Sequence, residues 1–165
     1  MFNKGVSLKI KLPDAEATGE LGRLLGMGLK PGHVLALIGE LGAGKTTLVR
    51  GMVRGIGADP EQVHSPTFTM IHLYPGHLAL YHVDLYRIDR IEELDAIGLD
   101  EALEGFDSAC AVEWADKFPQ ALPPNRLEIK LAYDGEARNA ELRATDESHG
   151  KLLQAIPGDW QVTWD

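Results

Sequence analysis

Apolar residues recur along the chain in two rhythms, and the change from one to the other outlines a fold. Residues 7–12 alternate polar and apolar, the period of a strand with one buried face. After Pro13, Asp14 stands where a helix needs an N-cap, and Ala17, Leu21, Leu24 and Leu25 follow at helical spacing. Lys30-Pro31-Gly32 is a turn. Val34-Leu35-Ala36-Leu37-Ile38 is an unbroken apolar run, as in a strand buried on both faces of a sheet. A glycine-rich loop comes next, then a helix over residues 45–56. Residues 68–74 and 77–83 predict two strands joined at Pro75-Gly76 as a hairpin. Residues 91–103 predict a helix interrupted near Gly98, and residues 109–112 a short strand ending at Glu113-Trp114. Leu127, Ile129, Leu131 and Tyr133 mark a half-buried strand. Asp134-Gly135 turns the chain, and Ala140, Leu142 and Ala144 carry the alternation back. Residues 148–156 predict a last short helix. Strands alternate with helices at first and form hairpins later, which predicts an α/β fold with a mixed sheet, partly parallel and partly antiparallel. No internal repeat or low-complexity segment interrupts it. The 165 residues therefore read as a single domain, with residues 1–12 as the first-strand segment and residues 150–165 as a C-terminal extension.

Composition narrows the classes. Hydrophobic residues make up 44% of the chain, enough for a packed core. A single cysteine, Cys110, excludes an intramolecular disulfide and a zinc site built from cysteines. No apolar run approaches the roughly 20 residues of a membrane-spanning helix. The start, Met1-Phe2-Asn3-Lys4-Gly5, lacks the apolar core of a secretory signal, so the expectation is a soluble, cytoplasmic protein without a membrane partner.

The formal net charge is −9, and it is unevenly spread. Residues 1–80 hold 8 basic and 6 acidic side chains, whereas residues 81–165 hold 8 basic and 19 acidic. Between Asp84 and Asp116 stand 11 acids, with Arg87 and Arg90 as the only bases. Nucleic-acid binding rests on cations that neutralise phosphates, so this face would repel RNA. It reads either as a solvated acidic surface or as a docking surface for a basic protein partner.

The chemistry is concentrated in one motif. Gly39-Glu40-Leu41-Gly42-Ala43-Gly44-Lys45-Thr46 satisfies every fixed position of G-x-x-x-x-G-K-[ST], the phosphate-binding loop or Walker A motif, between an apolar strand and a helix. Gly39, Gly42 and Gly44 leave the backbone bare, so successive N–H groups can turn around a phosphate. The Lys45 ammonium reaches the β- and γ-phosphates, and the Thr46 hydroxyl is a hard oxygen ligand for Mg²⁺. A helix starting near Lys45 points its positive dipole end at the anion. The architecture that houses such a loop is a P-loop NTPase-like sandwich.

Hydrolysis of a nucleoside triphosphate also needs a carboxylate near the metal and a group that orients water. Asp84 ends the run Leu80-Tyr81-His82-Val83, and Glu113 ends Ala109-Cys110-Ala111-Val112. Both follow apolar strands, and the sequence does not decide between them as metal ligand. The Ser65-Pro66-Thr67-Phe68-Thr69 hydroxyls suit either a switch near the γ-phosphate or an ordinary polar turn. Of six histidines, His64, His72, His77 and His82 are spread over the two predicted strands and their approaches. They have no metal-ligand spacing and read as ordinary strand and loop positions.

Taken together, Gly39 to Thr47, Ser65 to Thr69, His82-Val83-Asp84-Leu85-Tyr86-Arg87 and Glu113-Trp114 resemble the bacterial TsaE (YjeE) family over about residues 13–142. These are small P-loop ATPases required for threonylcarbamoyladenosine next to the tRNA anticodon. The resemblance implies a weak, partner-dependent ATP hydrolase with ATP as substrate and Mg²⁺ as cofactor. It implies that Lys45 and the loop, Glu40, Leu41, Gly42, Ala43, Gly44, Thr46 and Thr47, hold the nucleotide. Thr46, Glu113 and Asp84 would serve the metal, and Asp84, Glu113 and Lys45 the catalysis. Ser65 and Thr67 would form a switch over the phosphates, Trp114 would lie near the nucleotide, and Arg138 and the residue 13–18 stretch would lie toward the base. It also implies a helper that binds the TsaD–TsaB pair and meets tRNA only indirectly. Glu40 stands where an Asp is common in the family, and the tail from Gly150 is longer than usual. Two rival readings remain at this stage: a small-molecule P-loop kinase, disfavoured by the lack of an arginine-rich lid, and a nucleotide-gated binding module without hydrolysis.

Overall fold

The computed structural model describes residues 6–64 and 70–162. One seven-stranded mixed sheet organises them, with the strands in the order β1-β7-β6-β2-β5-β4-β3. The strands are β1 (Val6–Leu12), β2 (Val34–Ile38), β3 (Ile71–Pro75), β4 (Ala79–Asp84), β5 (Ser108–Glu113), β6 (Leu127–Asp134) and β7 (Ala137–Ala144). β2 pairs parallel with β5 and β6, and β4 pairs parallel with β5. The hairpins β3–β4 and β6–β7, and the β1–β7 pair, are antiparallel. The mixed sheet is the one the sequence pattern predicts.

The two hydrophobic rhythms become two degrees of coverage. Helices α1 (Ala15–Gly28) and α2 (Lys45–Gly55) cover one face of the sheet. There Leu21, Leu25, Leu48 and Met52 pack with Leu35, Leu37, Ala111, Ile129 and Leu142. On the other face α3 (Glu93–Ile97) and α4 (Leu99–Glu104) cover only the central strands, with Leu94, Leu99 and Ala102 against Ala36, Val83 and Val112. β5 is accordingly buried at every position, while on β6 Leu127, Ile129 and Leu131 are buried and Lys130 and Ala132 are exposed.

Asp14 caps α1 by accepting the Ala17 N–H at 2.8 Å. α1 and α2 touch backbone to backbone. A Cβ on Gly22 would lie 2.1 Å from Leu48 O, and one on Gly51 2.1 Å from Gly19 O, so any larger residue would force the helices apart. This contact seats the start of α2 beneath the glycine-rich loop.

Two elements differ from the sequence pattern in detail. The helix expected over residues 91–103 is two short helices, broken where Gly98 adopts φ +84°. The helix expected over residues 148–156 is a single turn, α5 (Glu147–Gly150), followed by a 3-10 helix, Lys151–Ala155. Leu153 and Ile156, three residues apart, both enter the core, the spacing that a 3-10 turn eclipses. The C-terminal segment folds back onto the sheet: the Val162 N–H donates to Lys9 O at 2.8 Å beside an Ile10–Gln161 bridge. Among the described residues no helix is long and apolar enough to cross a membrane.

Candidate functional site

β2, β4 and β5 run parallel, so their C-terminal ends open on one edge of the sheet. Ligand crevices of open α/β sheets form at such an edge. Three chemistry-bearing segments meet there: the loop after β2, Asp84 at the end of β4 and Glu113 at the end of β5. Asp84 and Glu113 are register partners. A cavity of about 400 Å³ lies over this edge, lined by Leu41, Gly42, Gly44, Lys45, Thr46, Thr47, Met70, Asp84, Tyr86, Arg87, Glu113 and Trp114.

The loop folds as its glycines permit. Gly42 and Gly44 adopt φ +80° and +112°, and Gly44 is the N-cap of α2. Lys45 is buried, and its ammonium donates to Gly39 O at 2.5 Å and Glu40 O at 2.9 Å. It also stands 4.2 Å from the centre of the Trp114 ring. Burial lowers the Lys45 pKa, and the nearby carboxylates of Glu113, Asp84 and Asp116 oppose that shift. Trp114 is the only non-glycine residue with positive φ among those described, at +60°. That turn takes the chain out of β5 just after Glu113 and sets the indole against Lys45 and, at 5.0 Å between rings, Tyr86.

The Thr46 hydroxyl lies 3.2 Å from both oxygens of Glu113. Glu113 is buried, and its Oε2 accepts from His82 Nε2 at 2.5 Å. Asp84 is buried beside it, with Oδ1 accepting the Tyr86 N–H at 2.9 Å. Burial raises the Asp84 pKa, the Tyr86 N–H works against that shift, and the Glu113 charge adds to it.

Thr46, Glu113 and Asp84 thus present hard oxygen donors to one cavity, the chemistry that suits Mg²⁺. Among the described residues no group of three His, Cys, Asp or Glu side chains forms a metal cage. The donor set fits an ion that keeps its waters and shares phosphate oxygens, as Mg²⁺ does with nucleotides.

The other expected positions distribute as follows. Glu40 contributes its carbonyl to Lys45, and Ala43 is buried in the core. Arg138 does not line the main cavity. It stands at a smaller one of about 180 Å³, across the loop, with Asp14, Thr18, Thr47 and Glu136. Its Nη2 donates to Gly42 O at 3.4 Å. Ser65 and Thr67 lie outside the described residues. Of the acidic stretch, Asp84 and Glu113 belong to the site, while Asp95, Asp100, Glu101 and Glu104 on α3 and α4 are exposed.

Two residues take roles that the sequence pattern did not assign. His82, expected at an ordinary strand position, is fully buried against Glu113. Its offset of two from Asp84 puts both side chains on one face of β4, and that was the available signal. Tyr133 donates its hydroxyl to Leu41 O at 2.6 Å and stacks under Arg138, 4.2 Å from the ring centre. Its proximity arises only from the pairing of β6 with β2, which local sequence does not encode.

The chain is similar to known proteins in sequence and in fold. The family model described as "Threonylcarbamoyl adenosine biosynthesis protein TsaE" matches residues 12–141. A Bacillus subtilis protein named tRNA threonylcarbamoyladenosine biosynthesis protein TsaE is 42% identical over 130 residues, covering 78% of this chain and 80% of that protein. A Nostoc protein of the same name is 42% identical over 139 residues, covering 81% and 84%. The crystal structure of Bacillus subtilis YdiB superposes with a TM-score of 0.76 at 34% identity, covering 93% of this chain and 95% of that one.

Proposed function

The chain belongs to the TsaE family of threonylcarbamoyl adenosine biosynthesis proteins, and on that premise we propose that it is an ATPase acting in this tRNA modification. The observation that carries the reading is the meeting of the Thr46 hydroxyl with the Glu113 carboxylate, beside the Lys45 ammonium, at the mouth of one cavity.

Each residue then has a task. Lys45 exchanges the carbonyls of Gly39 and Glu40 for β- and γ-phosphate oxygens. The bare N–H groups of residues 40–47 surround the phosphates at the start of α2. Thr46 and Glu113 hold Mg²⁺, directly or through its waters. Bound Mg²⁺ supplies positive charge against the phosphate oxygens. Asp84, made more basic by burial, orients the attacking water and accepts its proton. Water oxygen bonds to the γ-phosphorus, the bond to the bridging oxygen breaks, and ADP and phosphate leave. Trp114 packs near the nucleotide, and Ser65 and Thr67 act as a switch over the phosphates. Arg138 and the start of α1 lie on the base side of the loop.

The wider proposal is that this cytoplasmic ATPase docks on the TsaD–TsaB pair and resets it between cycles, with the acidic helices α3 and α4 suited to a protein rather than a tRNA surface. The test is Mg-ATP hydrolysis by the purified chain, alone and with TsaD, TsaB and tRNA. A low rate that changes clearly with the partners supports the proposal. No hydrolysis and no partner effect opposes it.

A further inference from the structure

We propose that His82 is a positioning residue that fixes the Glu113 carboxylate in the orientation the site uses. The inference rests on the Mg-nucleotide reading of the site and adds a residue to it.

The geometry follows from strand register. His82 and Asp84 share a face of β4, and across the parallel ladder Asp84 lies beside Glu113 while His82 lies beside Ala111. His82 therefore reaches Glu113 diagonally along the sheet, and its Nε2 meets Oε2 at 2.5 Å. A carboxylate only accepts, so Nε2 donates the proton of this bond and Nδ1 is the ring's other polar atom. That Nδ1 has no hydrogen-bond partner among the described residues, although the ring is fully buried.

A buried polar atom left unpaired is destabilising, and an aliphatic side chain would fill the same strand position without that penalty. Among the described residues the ring makes one hydrogen bond, and that bond is to Glu113. Its effect is to restrain an acid with strong competing attractions. The Lys45 ammonium lies near enough for the Glu113 charge to act on it, and among the described residues the Glu113 carboxylate is otherwise bonded by the Thr46 hydroxyl. Rotation toward Lys45 would neutralise the cation that meets the phosphates. With Oε2 held by His82, the carboxylate stays beside the Thr46 hydroxyl, the two groups that would hold Mg²⁺. Partners of this kind behind a metal-binding carboxylate typically change metal affinity or activity about 10–100-fold when removed.

The test compares His82→Leu, which removes the donor, with His82→Gln, which supplies an amide N–H. Binding of ADP is measured by calorimetry in EDTA and in Mg²⁺, with kcat and KM for Mg-ATP alongside. His82→Leu is expected to keep its metal-free ADP affinity within about 2-fold while losing most of the gain from Mg²⁺, with kcat down about 10-fold or more and KM changed less. His82→Gln is expected to recover most of both losses. Equal gains from Mg²⁺ in His82→Leu and wild type overturn the inference, and so do equal losses in the Leu and Gln variants. If His82→Leu does not fold, the imidazole ¹⁵N spectrum of the wild type decides. A proton on Nε2 with a resonance that moves on adding Mg-ADP supports the role, and a proton on Nδ1 alone or an unmoved resonance overturns it. Wild-type protein that gains no ADP affinity from Mg²⁺ overturns the underlying reading together with this inference, which separates the two failures.

Discussion

Strand β2 runs between two clusters of buried polar groups. At its start the Val34 N–H donates to His149 Nε2 at 3.0 Å, and His149 Nδ1 meets Asp146 Oδ1 at 2.6 Å. His33 lies 4.7 Å away, ring to ring, accepting the Lys30 N–H on Nδ1 at 3.0 Å and meeting Ser148 Oγ through Nε2 at 2.9 Å. All four ring nitrogens are engaged. At the other end, after Ile38, Asp84 accepts through one oxygen among the described residues, and the Lys45 ammonium is bonded to loop carbonyls that an anionic ligand can replace. A cavity of about 460 Å³ adjoins the first cluster, as roomy as the one over the glycine-rich loop. Burial and volume therefore do not separate the two ends. Closure does: the first cluster satisfies itself and ties residues 146–149 to the sheet, whereas the second keeps capacity for a ligand.

Substitutions test this contrast most sharply where they remove charge. Lys45→Ala is expected to abolish nucleoside triphosphate binding or turnover while the melting temperature stays near wild type, since among the described residues the cation it removes has loop carbonyls and a ring as its direct partners. Unchanged affinity and turnover would remove the site from the loop. Glu113→Gln is expected to lower kcat about 100-fold, with nucleotide affinity in EDTA little changed. Steady-state kinetics and calorimetry check the two halves of that statement, and a variant with normal kcat would exclude Glu113 from catalysis.

The closed cluster predicts a different response. Burial pushes the His33 pKa down to about 4, with the neighbouring His149 charge adding to the shift and Asp146 opposing it. In the unfolded chain His33 titrates near its ordinary value of about 6.5. Between these values the unfolded state binds more protons, so stability rises with pH across that window and falls on acidification. The loss approaches about 2–3 kcal/mol by pH 4. Urea midpoints of wild type and His33→Gln, taken at pH 7 and pH 4.5, isolate this contribution. The variant should show the shallower acid loss, with nucleotide binding at pH 7 unaltered. Equal slopes would contradict the account of the cluster. Tyr133→Phe should have the smallest effect, a loss of a few-fold in nucleotide affinity, because one partly exposed hydrogen bond to Leu41 O is worth about 1 kcal/mol.

The two ends were also unequally legible in the sequence. The glycine-rich loop is contiguous, so Gly39 to Thr46 could be read directly, and strand-end acids after apolar runs pointed to Asp84 and Glu113. Continuous apolar runs identified the doubly covered strand β2, and alternation identified the singly covered β6 and β7. The partnership of His82 with Glu113 depends on β4 lying beside β5. The approach of Tyr133 to the loop depends on β6 lying beside β2. Both are pairings between segments distant in sequence, which no local pattern encodes. The His33–His149 pair joins residues 116 positions apart for the same reason. The last helix was overestimated because apolar spacing does not by itself separate an α-helical turn from a 3-10 one.

Equilibrium titration with a non-hydrolysable ATP analogue, with and without Mg²⁺, tests the central claim most directly. The account predicts saturable one-to-one binding that Mg²⁺ strengthens and that Lys45→Ala eliminates. Absence of saturable binding, or binding indifferent to both Mg²⁺ and Lys45, would contradict it.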